Sequence, residues 1–166
     1  MAFLDAVEIY FRGERTAGYG LIPVGALSLA AGIYLWRVHG ASLAKGLGIP
    51  LLVVGIGLVI GGIVLVRTVD ARQARLEAST AKDVSVPIAD ELARIDKVNG
   101  NWLPLKIGWA ALAAISFALV FLVGRPWVHG LALSLLLISA TFMVVDSFAE
   151  KRAQVYEETL QKLAPE

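Results

Sequence analysis

The chain has 166 residues, 57% of them hydrophobic and 17% charged, with a formal net charge of +1 and a mean hydropathy of +0.70. Soluble domains average about 45–50% apolar and about 25% charged, so both figures point to the membrane class. The lack of cysteine excludes disulfide frameworks, thiolate metal sites, iron–sulfur clusters and cysteine nucleophiles, and two histidines with a near-neutral charge argue against a histidine-rich metal site or a nucleic-acid-binding surface.

At the N-terminus, Phe3, Leu4, Val7, Tyr10 and Phe11 fall at helical spacing, with Asp5, Glu8, Arg12, Glu14 and Arg15 interspersed. This pattern predicts an amphipathic helix lying in the inner membrane interface, with Gly13 and Gly18 available to bend the chain into a first crossing. The run 17–36 then contains no Asp, Glu, Lys or Arg. It is of full membrane length and is followed by Arg37 rather than a small-residue cleavage site, so a cleaved signal peptide is not expected. Lipidation is not expected either, since Ala2 replaces the myristoylated glycine and no cysteine is present.

Three more charge-free runs follow, at 46–66, 107–124 and 126–145. A helix of roughly 20 apolar residues crosses about 30 Å of hydrocarbon, and all four runs fit that length. Four apolar-all-round helices could not be buried by so small a soluble chain. The expectation is therefore an all-α membrane protein with a single four-helix membrane domain over residues 1–166. An amphipathic N-terminal helix and helical cytoplasmic extensions complete it.

Between the second and third runs lies a cytoplasmic loop, 67–106, too rich in helical pattern to be a linker. From Arg67 to Ser79 the second crossing is expected to continue as a charged helix. Ser85-Val86-Pro87 reads as a new helix start, and Ile88, Leu92, Ile95 and Val98 form one apolar stripe, stopped by Asn99-Gly100-Asn101. After the fourth run, residues 146–164 continue as an amphipathic cytoplasmic helix. Short stripes of this kind are expected to pack on one another below the membrane. The alternative is a docking surface for another protein, with Ile88, Leu92, Ile95 and Val98 as the partner-binding candidates.

Twelve of the fifteen Lys and Arg residues, and all fourteen Asp and Glu residues, lie on the side of the termini and the middle loop. The positive-inside rule places that side in the cytoplasm, giving a multi-pass protein of the inner (cytoplasmic) membrane with both termini inside. Within the runs, Gly57 with Gly61 and Ala110 with Ala114 have small-xxx-small spacing and are the candidate helix-packing residues. Asp146, one residue past the fourth run, is expected to sit in interfacial water paired with Arg67 or Lys106.

No phosphate loop, zinc-protease motif, nucleophile elbow or histidine–carboxylate pairing is present, so no catalytic residue, metal site or cofactor is assigned and an enzyme is not expected. The expected function is non-catalytic binding of another membrane or cytoplasmic protein within the lipid bilayer, with no nucleic-acid partner and with self-association left open. An accessory or assembly subunit meets that description. So does an immunity-type protein against a membrane-acting toxin, which this chain resembles in size and topology but in no residue motif. Two alternatives stand beside it. One is a small oligomeric channel or transporter with a polar path from Ser134, Ser139 and Thr141. The other is a membrane redox carrier using His39 and His129 as ligands.

Overall fold

Three of the four charge-free runs lie wholly within longer α-helices in the computed structural model, which describes residues 2–38, 41–80 and 85–164, and the third run, 107–124, is helical as far as Leu122. Five helices follow one another: α1 (Ala2–Val38), α2 (Ser42–Thr80), α3 (Ser85–Gly100), α4 (Trp102–Leu122) and α5 (Pro126–Leu163). Four of the helical segments are long and apolar enough to cross a membrane. There is no strand among the described residues.

The helix ends follow local chemistry. Pro126 occupies the first turn of α5, where its missing N–H costs nothing. The stop at Asn99-Gly100-Asn101 is a single-residue turn, with Asn101 as the N-cap of α4. At the other long junctions the helices simply run on. The second run extends to Thr80 and the fourth to Leu163, as the charge pattern predicts.

The N-terminal segment differs from expectation. No bend separates it from the first run: α1 is one helix of 37 residues, continuous through Gly13 and Gly18. These glycines serve contact rather than curvature. A Cβ on Gly18 would lie 2.8 Å from Val66 Cγ2 and 3.2 Å from the Gly62 carbonyl oxygen, and one on Gly13 would lie 3.1 Å from Arg152 Cδ.

Gly18 opens a seam. Gly18, Gly25 and Gly32 recur every seven residues on α1, and Gly48, Gly55 and Gly62 every seven on α2. Seven residues are close to two helical turns, so each set shares one face. Because the helices are antiparallel, the sets meet as Gly18 with Gly62, Gly25 with Gly55 and Gly32 with Gly48. A Cβ on Gly25 would sit 2.8 Å from the Gly55 carbonyl oxygen, and one on Gly32 would sit 3.1 Å from that of Gly48. Ser28 adds a bond across this seam, its hydroxyl donating to the Leu51 carbonyl at 2.9 Å.

A second close approach joins α2 to α5 at the end opposite the termini. There a Cβ on Gly46 would fall 1.9 Å from the Trp127 carbonyl oxygen, and one on Gly130 would fall 2.1 Å from that of Leu43. On its other side α5 carries α4, with Trp109 stacked on Phe142 at 4.9 Å and Ser116 fully buried. The apolar halves therefore line up as a row, α1–α2–α5–α4, and do not close into a four-helix bundle. α4 packs on α5 and touches α3, and it makes at most marginal contact with α1 and α2.

Burial is distributed unevenly along the molecule. The hydrophobic core lies outside the apolar runs, in a base built from the N-terminal part of α1, the C-terminal parts of α2 and α5, and α3. Phe3, Val7 and Phe11 of α1 meet Val69 and Leu76 of α2, Ile88 and Ile95 of α3, and Ala153, Tyr156 and Leu160 of α5. The runs themselves bury few large side chains, Val128 and Ile138 among them, and turn many outward: Phe121 is 72% and Leu122 80% exposed. An exposed apolar surface of this extent belongs to helices that are long and apolar enough to cross a membrane.

Candidate functional site

At the centre of the base lies a carboxylate with no exposure to solvent, that of Glu91 on α3. Removing a charge from water is costly unless it is paired, and Glu91 is paired twice. Arg94 Nε donates to Oε1 at 2.8 Å and Arg72 Nε, from α2, donates to Oε2 at 3.2 Å. The Arg94 guanidinium also lies 5.7 Å from the Tyr10 ring centroid and 5.9 Å from that of Phe11, within cation–π range. Tyr10 in turn stacks flat on Tyr156, with centroids 4.3 Å apart.

Burial pushes the Tyr156 phenol far above its ordinary range, and the nearby Glu91 charge adds to the effect. Tyr10 is raised in the same way, by burial first and by Glu14 next. For Arg94, burial works against the charge, but the hydrogen bond and attraction to Glu91 outweigh it and strengthen its hold on the proton. Both phenols stay neutral, and the carboxylate is fully engaged. The cluster therefore fits a locking role, holding α3 to α1, α2 and α5, and offers neither a nucleophile nor a free general base. The buried Tyr156 hydroxyl finds no hydrogen-bond partner among the described residues.

A belt of polar contacts surrounds the junction between base and apolar runs. Arg15 binds Asp70 at 2.7 Å and Gln73 at 2.9 Å, tying α1 to α2. Arg152 reaches Glu14 at 3.1 Å, tying α5 to α1, and Lys106 pairs with Glu150 between α4 and α5. Asp146 is paired otherwise than its sequence neighbours suggest. It accepts a bond from the Trp109 indole at 2.8 Å, while Lys106 bonds one turn further along α5. Arg67 therefore remains without an acidic partner among the described residues.

The stripe Ile88, Leu92, Ile95, Val98 faces into the molecule. Ile88 and Ile95 are buried in the base core, and Leu92 and Val98 pack against it. What the sequence offers as a docking face is occupied by the chain's own α1, α2 and α5.

The four small residues singled out for helix packing lie elsewhere than the seams. Gly57 and Gly61 are exposed, with nothing within 4 Å of where a Cβ would stand, and Ala110 and Ala114 are exposed on α4. At about 100° per residue, Gly57 and Gly61 fall roughly 200–240° around α2 from Gly55, on the far side from α1. The sevenfold spacing of the other glycines was the signal for the true seam, and it emerges once two antiparallel runs are compared.

The hydroxyls considered for a polar path do not share a face. Ser134 and Ser139 are buried, whereas Thr141 is exposed. Ser139 and Thr141 donate to the Leu135 and Leu137 carbonyls of their own helix, each at 2.8 Å. Of the two histidines, His129 is half-buried in the first turn of α5, and His39 lies outside the described residues. No group of three or more His, Asp or Glu side chains suited to a metal occurs among the described residues.

Among the open grooves of the described residues are two in the base. One, of about 450 Å³, runs between α1 and α5 beside Ile9, Phe148, Lys151 and Val155. The other, of about 850 Å³, runs between α2 and α3 and is lined by Arg67, Thr68, Arg72, Arg75, Asp90 and Glu91 among others. It exists because α3 packs chiefly on α5 and only lightly on α2, leaving one face of α2 uncovered. No protein-family model, curated protein or solved structure matches this chain.

Proposed function

We propose that this chain is a multi-pass protein of the inner (cytoplasmic) membrane, with both termini in the cytoplasm, that acts by binding. In this reading it is an accessory or assembly subunit that packs laterally on another membrane-embedded protein. The observation that carries this reading is the open row of apolar helices. A four-helix protein that acts alone gains by closing its helices around a shared core. Here α4 has one intramolecular neighbour along its length, and α1 stands at the other end of the row.

Lateral association suits such a row because close packing, rather than a hydrophobic drive, joins helices in lipid. The exposed small residues Gly57, Gly61, Ala110 and Ala114 let a neighbouring backbone approach. The cytoplasmic stripes do not supply the contact, since the base consumes them. The immunity-type role draws on no further observation, and neither do the channel or redox readings.

Photo-crosslinking residues placed singly at Gly57 and Ala114 in native membranes test the proposal. A discrete adduct with a different membrane protein is the expected result. Adducts only with a second copy would replace the accessory role by self-assembly, and adducts with lipid alone would overturn the binding reading.

A further inference from the structure

From the groove between α2 and α3 we infer a binding site for a phosphate oxyanion, supplied by the headgroup of an acidic phospholipid. Arg67, Arg72 and Arg75 all line it from α2. Arg67 and Arg75 are exposed and have no ion-pair partner among the described residues. The acids nearby do not cancel them. Glu91 is already shared between Arg72 and Arg94, so that trio carries a net positive charge, and Asp90 is the remaining carboxylate of the lining among the described residues. Thr68 contributes a hydroxyl.

Guanidinium groups match the geometry of phosphate oxygens in a bidentate way, which a lysine cannot do, and all three cations here are arginine. Position identifies the source of the phosphate. Arg67 directly follows Val66, the last residue of the second apolar run, and so falls at headgroup depth once that run spans a bilayer. Arg75 lies eight residues on, about 12 Å further along the helix axis. The groove thus leads from the headgroup layer inward, and its volume of about 850 Å³ is within the range of small-ligand sites. The site is independent of any lateral partner. Its assignment to lipid, rather than to free phosphate, rests on the bilayer placement of the apolar runs.

The test uses the whole chain and a double variant, Arg67→Gln with Arg75→Gln, whose side chains are exposed and have no ion-pair partner among the described residues. Far-UV circular dichroism checks that both are folded. Arg12→Gln serves as a charge control, because Arg12 pairs with Glu8 away from the groove. Ala71 also lines the groove from α2, and Ala71→Leu fills it without changing charge. In one arm, each protein is reconstituted in bilayers of phosphatidylcholine and phosphatidylglycerol, and retained lipid is read by native mass spectrometry.

Wild type is expected to retain phosphatidylglycerol, with retention falling roughly 30-fold in the double variant, falling also in Ala71→Leu, and unchanged in Arg12→Gln. In the second arm, pyrophosphate is titrated into the detergent-solubilised protein. Pyrophosphate binding that needs Arg67 and Arg75, without lipid retention, supports the oxyanion site with a soluble phosphate as its source. Insensitivity of both arms to the double variant, or an equal loss in Arg12→Gln, overturns the site. Resistance of the protein to extraction from membranes by alkaline carbonate reports separately on the bilayer placement.

Discussion

Tyr156 shows how a single atom can be out of balance in a well-packed base. Its ring stacks on Tyr10 and its side chain is buried, yet its hydroxyl has no partner among the described residues. A buried hydroxyl without a hydrogen bond forfeits its solvation, so Tyr156→Phe is expected to raise stability by about 1 kcal/mol. The substitution also changes the response to alkali. Because burial raises the phenol above its ordinary value near 10, the folded state holds this proton where the unfolded chain releases it. The resulting stabilisation is complete below pH 10 and declines as pH rises above it. Thermal unfolding followed from pH 7 to pH 11 should show that decline shrinking in Tyr156→Phe. An unchanged or steeper decline would mean that the Tyr156 phenol does not carry it, and a loss of stability in Tyr156→Phe at pH 7 would mean that the hydroxyl has a partner.

Between helices, distance to the neighbouring backbone decides what a glycine does. Gly55 and Gly57 are two residues apart in one helix and have the same intrinsic cost there. At Gly55 a Cβ would meet Leu29 Cγ at 2.7 Å and the Gly25 carbonyl oxygen at 2.9 Å, whereas at Gly57 it would meet nothing. Gly55→Ala is therefore expected to destabilise by about 1–3 kcal/mol through overpacking of the α1–α2 seam. Gly57→Ala is expected to be neutral or mildly stabilising, through helix propensity. Unfolding of both variants in one detergent, followed by circular dichroism, compares them directly. Equal effects would show that the seam does not control the packing of α1 on α2.

Across the whole molecule, the two ends carry different surfaces. The base has an apolar core around the paired Glu91 carboxylate, with further ion pairs at its margin. The row above it has backbone-to-backbone seams and outward-facing Phe and Leu. This division predicts a topology that a cysteine-free chain makes easy to read. Ala41→Cys, between α1 and α2, should react with a membrane-impermeant maleimide in intact cells. Ala89→Cys, exposed on α3, should react only after permeabilisation. The opposite pattern would reverse the sidedness, and with it the cytoplasmic placement of the base.

Much of this was legible residue by residue, and for a physical reason. A charge-free run of membrane length and an apolar stripe at steps of three and four are local properties of a helix, written in its own spacing. They determined the four long helices, the start of α3 at Ser85, its stop at Gly100, and the helical extensions of α2 and α5. Which face meets which partner is a relation between segments distant in the chain, and only the tertiary structure decided it. It turned the stripe of Ile88 and Ile95 into core, gave Asp146 to Trp109, and left Arg67 and Arg75 lining an open groove. It also passed over the small pair Gly57–Gly61 in favour of glycines seven apart. An antiparallel partner follows one face for many turns, and the sevenfold repeat keeps that face free of side chains from one end of the contact to the other.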